Sequence, residues 1–448
     1  IRALKNRGPD DNFSFIENNI ALFHTRLAVI DKNITARQPI INTRGSLILI
    51  CNGEIYNHLM LRESYDYDYS SSSDCEVISA CYAAEGLAGL KKLKGTFSFA
   101  VYDKEKGKLI ICRDAVGKKP LFYYVSADRF LFSSSISAIR DNLSGTLKIN
   151  SQALSYYLQE GYIRPDISFY EGISPVMPGE TIELDLSTMK MVSRYILPES
   201  ADYAGFDYRD EEIMKEADRL LTESIRMRLY NIKAPVLLFS GGVDSTVLAK
   251  KFSRLSENRP SCISLRPFIP YTYDEPYGRF AAKRLGLKFI SVSLRKRDLI
   301  ENIEKAVSLL DEPLSIYAYF LLTYLARKAR EFGNVLFLGE GGDEVFYGYS
   351  DIRRWFASSP EETGEASYEV GPKPAPALSR WGLKQMTTDI LGHSLVKVDK
   401  AASEQQMEAR CPYLDWDLMW FMRSIPPGYF IRSNTTKIIL KKMLGEFP

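Results

Sequence analysis

Over the first 140 or so residues, apolar and polar positions alternate in short runs. Residues 20–30, 46–51, 96–102, 109–112, 121–125 and 130–134 are rich in β-branched and aromatic side chains and are separated by turn signals. That texture predicts stacked antiparallel sheets. One helix is expected among them, with Ser73 or Asp74 as N-cap and Glu76 in its first turn. Residues 150–200 read as short strands and turns, with Pro178 and Gly179 ahead of a strand at 181–186. The polar, loosely patterned stretch 199–208 reads as a linker.

Beyond it the pattern changes. Apolar runs at 236–239, 262–265, 289–293 and 335–338 alternate with helical stretches, among them 274–285 and a long one at 298–331. Strands alternating with helices predict a doubly wound parallel sheet. The expected organisation is therefore two domains, 1–195 and 205–448. Residues 357–378, with four prolines and several Ser, Gly and Glu, read as a flexible surface loop.

Composition narrows the class. The chain is 45% hydrophobic and 25% charged, as an ordinary globular protein is. Lys and Arg number 58 against 56 Asp and Glu, and a net charge of +2 argues against nucleic acid or a charged membrane as partner. No apolar run approaches the roughly 20 residues of a membrane span. Six cysteines stand singly, and with three histidines they form no zinc-ligand spacing; buried, reduced thiols in a cytoplasmic protein are expected. Ile1 is not a natural start and the chain stops abruptly at Leu444-Gly-Glu-Phe-Pro448, directly after a helix-like stretch, so both ends are expected to be trimmed.

Two loops carry candidate chemistry. After the apolar run 236–239 comes Ser240-Gly241-Gly242-Val243-Asp244-Ser245-Thr246, a strand, a glycine turn and a helix start. Adjacent glycines let backbone N–H groups approach an anion, and the helix N-terminus adds its dipole. Hydroxyls of Ser240, Ser245 and Thr246 can donate to phosphate, and Asp244 can hold Mg²⁺. The Gly-Lys-Ser/Thr of a Walker loop is absent. Leu338-Gly339-Glu340-Gly341-Gly342-Asp343-Glu344 likewise follows an apolar run, and its three carboxylates suit metal binding or proton transfer. Taken alone, either loop could be a plain capped turn. Both lie at strand ends, where ligands of such sheets gather, so they could face one site.

The Ser240 loop resembles the pyrophosphate loop of ATP-pyrophosphatases. Together with Leu310-Asp311-Glu312-Pro313, the Glu340 loop, Leu395–Lys400, Glu408–Asp415 and Thr436-Lys437, it is similar to the synthetase domain of asparagine synthetases over residues 205–445. The resemblance implies an adenine-nucleotide α-hydrolase-like fold. Asp244 and Asp343 would bind Mg²⁺. Phe239, Leu265, Leu338 and Gly339 would line the adenosine pocket beside Ser240, Gly241, Gly242 and Ser245. Glu340 would form or resolve an acyl-adenylate, and Lys437 would steady developing phosphate or oxyanion charge. The family has Ser where Leu338 stands, and the stretch after Tyr349 departs from its pattern, leaving the acceptor carboxylate open.

The N-terminal half carries a matching set: Arg7-Gly8-Pro9-Asp10-Asp11, His24-Thr25-Arg26-Leu27, Asn52-Gly53-Glu54, Ser73-Asp74, Arg113-Asp114 and Gly117-Lys118-Lys119-Pro120. These resemble the glutaminase domain of the same enzymes, an N-terminal-nucleophile fold with αββα layers. Arg26, followed by Leu27, Ala28, Val29 and Ile30, would take the glutamine α-carboxylate bidentately. Glu54 and Asp74 would accept from its α-amino group, and Asn52 with the Gly53 N–H would form an oxyanion hole. The nucleophile would be an N-terminal cysteine, expected before Ile1 and none of the six in view.

The resemblance implies glutamine-dependent amidation of an acyl-adenylate, most simply of aspartate, with ATP and Mg²⁺ required and a homodimer left open. Three alternatives stay beside it. They are amidation of another carboxylate, intramolecular amide formation as in β-lactam synthetases and lasso cyclases, and a non-catalytic glutamine- and ATP-binding scaffold.

Overall fold

The computed structural model describes residues 2–30, 34–203, 205–256, 258–266, 274–315, 317–349, 394–425, 429–430 and 435–445. The loop expected at 357–378 and the chain end at 446–448 lie outside them. By compactness the chain divides into two units. One takes Ile1–Glu199, Ile303–Thr323 and Leu391–Glu408, and the other Ser200–Asn302, Tyr324–Ile390 and Ala409–Pro448.

The first unit is built on β1 (Asp11–Glu17), β2 (Ile20–Arg26), β3 (Ile40–Ile41), β4 (Leu47–Ile55), β5 (Gly95–Asp103), β6 (Lys108–Arg113), β7 (Phe122–Val125), β8 (Phe130–Ser133), β9 (Ile173–Pro175), β10 (Glu180–Asp185) and β11 (Met191–Tyr195). Six strands pair in the order β11-β10-β6-β5-β4-β3, while β1-β2 and β8-β7-β9 form smaller sheets. Alternation along β4 explains the layering. Leu47, Leu49 and Cys51 pack with Leu61, Val77, Ile78 and Cys81 of the helices His58–Ser64 and Val77–Glu85. Ile48 and Ile50 point the other way, against Ile20, Leu22, Phe130 and Phe132 of the smaller sheets. In β7, Tyr123 faces that core, whereas Phe122 and Tyr124 pack with Ile136 and Ile139 of the helix Ile136–Arg140. The layers therefore run helix, sheet, sheet, helix: the αββα order.

The second sheet comprises β12 (Pro235–Leu238), β13 (Ser261–Arg266), β14 (Lys288–Ser293), β15 (Val335–Phe337) and β16 (Glu408–Arg410, of which Ala409 and Arg410 belong to the second unit), in the order β14-β13-β12-β15-β16. β12 pairs in parallel with both β13 and β15, and β13 in parallel with β14. After β12 the chain builds outward through β13 and β14, then returns to β12's other edge as β15. That reversal opens a crevice at the carboxyl ends of β12 and β15, where such sheets bind ligands.

Two expectations are corrected. Residues 150–200 are not all strand and turn: Ser151–Glu160 is a helix. Asn150 caps it by accepting from the N–H groups of Gln152 and Ala153, and Gly161 closes it in the left-handed region. The long helix at 298–331 is two helices, Lys296–Ser308 and Tyr317–Ala329. Pro313, with no N–H to give and a ring that disfavours helical backbone before it, accounts for the break. The expected helix after Ser73 is present as a 3-10 turn Asp74–Glu76 running into Val77–Glu85, with Ser73 accepting from the Cys75 N–H. The stretch expected as a linker is anchored: the Tyr203 ring packs tilted, and the Phe206 ring edge-on, against Phe421.

Candidate active sites

In the first unit a cavity of about 500 Å³ lies between β2, β4 and the Asp74 turn. Its wall includes Arg26, Leu27, Ala28, Val29, Ile30, Asn52, Gly53, Glu54 and Asp74, every residue the sequence proposed for glutamine. Arg26 ends β2, buried, with Asp11 at 3.8 Å. The Arg7–Asp11 motif sets its path. The Asp10 N–H donates to the Arg26 carbonyl at 3.0 Å, and the Asp10 carboxylate accepts from the Ala28 N–H at 2.8 Å. A Cβ on Gly8 would stand 2.3 Å from the Thr25 carbonyl carbon, so the turn requires glycine there.

Glu54 and Asp74 are buried beside one another's strand and turn, and the Ile55 N–H donates to Asp74 at 2.8 Å. Gly53, at φ 144°, lies so close to β5 that a Cβ would meet the Thr96 carbonyl oxygen at 2.1 Å. Next to it the Asn52 Nδ2 is buried without a hydrogen-bond partner among the described residues. An orphaned buried donor costs about 1–3 kcal/mol, which a ligand oxygen would recover. His24 adds no charge: burial pushes its pKa down to about 4. Arg26 therefore supplies the positive charge at this end.

Cys51 and Cys75 also line this cavity, but burial and the neighbouring Cys51 hold the Cys75 thiol well above its usual range, with the Cys51 hydrogen bond the larger cause. A thiol so held is a poor nucleophile. All six cysteines are buried and none forms a disulfide.

In the second unit the loops after β12 and β15 meet. Gly241, at φ 85°, packs on the backbone of Tyr277 and Gly278, and Asp244 lies in the first turn of the helix Val243–Leu255. Ser240 and Ser245 hydroxyls lie 3.2 Å apart, and Ser240 accepts from the Gly242 N–H at 3.1 Å. The Lys437 ammonium bridges two carboxylates, Asp244 at 2.5 Å and Asp343 at 2.7 Å. Burial works against that ammonium, yet Asp244 and Asp343 keep its pKa above the ordinary lysine value. Burial likewise lifts Asp244, with Lys437 pulling it back and Asp343 and Glu340 adding repulsion. The other Asp244 oxygen, Oδ1, and the Thr246 hydroxyl are buried without partners among the described residues.

Gly342 and Gly348 make room for this cluster. A Cβ on Gly342 would lie 2.8 Å from Asp244 Cγ, and one on Gly348 would lie 1.9 Å from Lys437 Cε. Of the loop's three carboxylates, Glu344 turns inward, accepts from the Tyr349 hydroxyl at 2.6 Å, and is pushed by burial to a pKa of about 7. Phe239 and Leu338 are fully buried, Phe239 against Phe289, so these two positions can offer a nucleotide only backbone. Leu265 and Gly339 stand at the ends of the flanking strands β13 and β15.

Sequence reading assigned no role to Gly348, to Tyr413, whose hydroxyl donates to the Asp244 carbonyl at 2.9 Å, or to the pair Lys119–Glu408 on the cavity wall. Lys119, Glu408 and Tyr413 did lie inside quoted motifs; which groups they meet depends on contacts across hundreds of residues. Asp311, in a motif read with the second domain, accepts from Ser135, the Ser137 N–H and Lys400, all in the first unit.

Among the described residues no group of three or more His, Cys, Asp or Glu could hold a metal by itself. No described helix is long and apolar enough to cross a membrane.

Comparison with known proteins gives two family matches: a glutamine amidotransferase domain over residues 1–196 and asparagine synthase over 216–447. A provisionally named glutamine-hydrolysing asparagine synthetase of Methanocaldococcus jannaschii is 30% identical over 78% of this chain and 71% of its own length. A glutamine-hydrolysing asparagine synthetase of Bacillus subtilis is 28% identical over 78% of this chain and 49% of its own. A Penicillium rubens protein named as the amidase chyE is 28% identical over 80% of this chain and 56% of its own. The chain thus spans about half the length of the latter two.

Proposed function

Because this chain belongs to the asparagine synthase family, we propose that it joins ammonia drawn from glutamine to a carboxylate that it has first adenylated with ATP. The carboxylate is most simply that of aspartate, giving asparagine, AMP, pyrophosphate and glutamate. The observation that carries the reading is the Asp244–Lys437–Asp343 cluster at a glycine loop on the sheet's reversal point.

In this reading the Ser240–Ser245 loop cradles the departing pyrophosphate with its N–H and hydroxyl groups. Asp244 and Asp343 would hold Mg²⁺. The buried, unpartnered Asp244 Oδ1 fits such an ion, and phosphate oxygens would complete its shell. Bound there, Mg²⁺ would neutralise charge on the leaving pyrophosphate. Lys437, released from the two carboxylates, turns to the phosphate, and Glu340 takes the proton that ammonia loses.

In the cavity, Arg26 holds the glutamine α-carboxylate, Glu54 and Asp74 the α-ammonium, and Asn52 Nδ2 with the Gly53 N–H the amide oxygen as it gains charge. The amidase-named relative favours one second reading, the same chemistry on a carboxylate other than aspartate.

Both are tested by incubating the protein with ATP, Mg²⁺, ammonium and a panel of carboxylates, with products read by mass spectrometry. AMP, pyrophosphate and asparagine are expected. Another amide with the same nucleotide products would favour the second reading, and ADP with phosphate would overturn both.

A further inference from the structure

Glu76 is fully buried, and its carboxylate takes four hydrogen bonds from one short loop. Oε1 accepts from the Ser70 N–H at 2.7 Å and the Ser70 hydroxyl at 2.8 Å. Oε2 accepts from the Ser71 N–H at 2.8 Å and the Ser71 hydroxyl at 2.6 Å. A carboxylate has about four lone-pair sites, and burying one is costly unless they are filled. A carboxylate at the start of the helix Val77–Glu85 would complement its dipole even when exposed, so the dipole does not account for the burial.

The loop leads into the first unit's cavity, which Ser73, Asp74 and Cys75 line. The Ser71 hydroxyl, held by Glu76, accepts from the Ser73 N–H at 3.2 Å. The Ser73 hydroxyl accepts from the Cys75 N–H at 3.3 Å, and the Ser73 carbonyl from the Glu76 N–H at 3.3 Å. Arg62 closes the same loop. Its Nη2 donates to the Ser71 and Ser73 carbonyls, each at 2.8 Å, and lies 3.8 Å from Glu76. Asp74 is therefore fixed twice: its carboxylate by the Ile55 N–H at 2.8 Å, and its backbone through the residues on either side.

We propose that Glu76 is a positioning residue for glutamine: through Ser71 and Ser73 it sets where the Asp74 carboxylate meets the substrate's α-ammonium. The inference rests on the glutamine reading of this cavity. A carboxylate already held in its binding position loses little freedom when the ligand arrives, and that raises affinity. Loosening the loop would remove this advantage from the α-ammonium end alone. Arg26, which faces the α-carboxylate in that reading, is carried by β2 and not by this loop.

The test is titration calorimetry of two ligands into the full chain: glutamine, and 4-carbamoylbutanoate, which is glutamine without its α-amino group. Glu76→Gln sets an amide nitrogen against loop donors, so the loop must rearrange. Glutamine binding is expected to weaken about tenfold, while the deamino ligand stays within about threefold of its parent affinity. A residue that only supports the fold would weaken both ligands alike. Ser71→Ala, at a partly exposed position, cuts the relay to Ser73 and should show the same selective loss at smaller size. It stands in if Glu76→Gln does not fold. In an Asp74→Asn background, Glu76→Gln should weaken glutamine no further. Equal loss for both ligands, parent-like glutamine binding by the variants, or a further loss in the Asp74→Asn background would overturn the proposal alone. A parent chain that binds no glutamine, or does not prefer it to the deamino ligand, would overturn the reading of the cavity and the proposal with it.

Discussion

Gly53 and Gly348 both stand where a side chain cannot fit, yet they serve opposite kinds of site. Around Gly53 the obstructing atoms are backbone: the Thr96 oxygen at 2.1 Å and the Phe97 Cα at 2.6 Å. Around Gly348 they are side chains: Lys437 Cε at 1.9 Å and Asp343 Oδ1 at 2.0 Å. The cavity proposed for glutamine is walled by paired strands, and the sheet fixes Asn52 and Gly53, its proposed oxyanion donors. The proposed nucleotide site is a cluster of opposite charges that satisfy one another. One is preorganised by packing, the other by electrostatics, and they should break differently.

The largest break is expected at Gly53→Ala. Backbone cannot step aside, so a positive-φ strain of about 1–3 kcal/mol adds to an overpacking cost of about 1–3 kcal/mol. Chemical denaturation should show that loss of stability. A variant as stable as the parent would mean that β4 and β5 shift freely, and the cavity would not be rigid.

Gly348→Ala should do the reverse. A lysine side chain can swing away, so the fold should survive within about 1 kcal/mol while Lys437 leaves its two carboxylates. If Lys437 acts on phosphate, acceptor-dependent pyrophosphate release should fall by about 10²–10³-fold, the usual loss for one electrostatic stabiliser. Near-normal release would separate Lys437 from the chemistry.

Arg26→Ala sharpens the contrast further. A bidentate, charge-assisted contact is worth roughly 1.5–3 kcal/mol, so glutamine affinity should drop about ten- to a hundredfold. Activity with ammonium salts should be untouched, since Arg26 belongs to the cavity alone. Equal loss with both nitrogen sources would contradict that division.

The smallest effect concerns two adjacent carboxylates of the first unit. Asp311 is held down at about 2: burial opposes its charge, but Lys400 and the donors Ser135 and Ser137 outweigh it. Its contribution to stability is present above the usual aspartate range and is lost as pH falls through about 2. Glu312 is pushed up to about 7 by burial, partly offset by the Phe169 N–H and the Ser168 hydroxyl. Being raised, it favours the folded state fully below the usual glutamate value, and that advantage fades as pH rises toward 7. Glu312→Gln should therefore flatten the decline in stability between the ordinary glutamate range and neutrality, by roughly 1–2 kcal/mol. Melting temperatures across that window check it, and an unchanged slope would show Glu312 ionised in the native fold.

Much of this was readable before any coordinates. The stacked sheets follow from apolar runs such as Leu47–Cys51, which buries both faces of one strand, and the αββα order was implied by the family resemblance. The parallel sheet follows from the apolar runs at β12 to β15 and the helices between them. Motif residues such as Arg26, Asn52, Glu54 and Asp74 were legible through the resemblance of their motifs, taken in order, to the glutaminase domain of asparagine synthetases. The helix Ser151–Glu160 escaped because its aromatics mimic strand composition, while Asn150 and Gly161 decided otherwise through caps.

What the sequence by itself determined was local: the strand and helix periods, the glycine turns, and the residue types able to bind phosphate or a carboxylate. What only the tertiary structure decided was partnership at long range. It paired Lys437 with Asp244 across 193 residues and Lys119 with Glu408 across 289, and it carried Asp311, Asp399 and Lys400 into the first unit. The physical reason is that period and propensity act over a few neighbouring residues, whereas a buried charge takes whichever opposite charge the fold brings within reach.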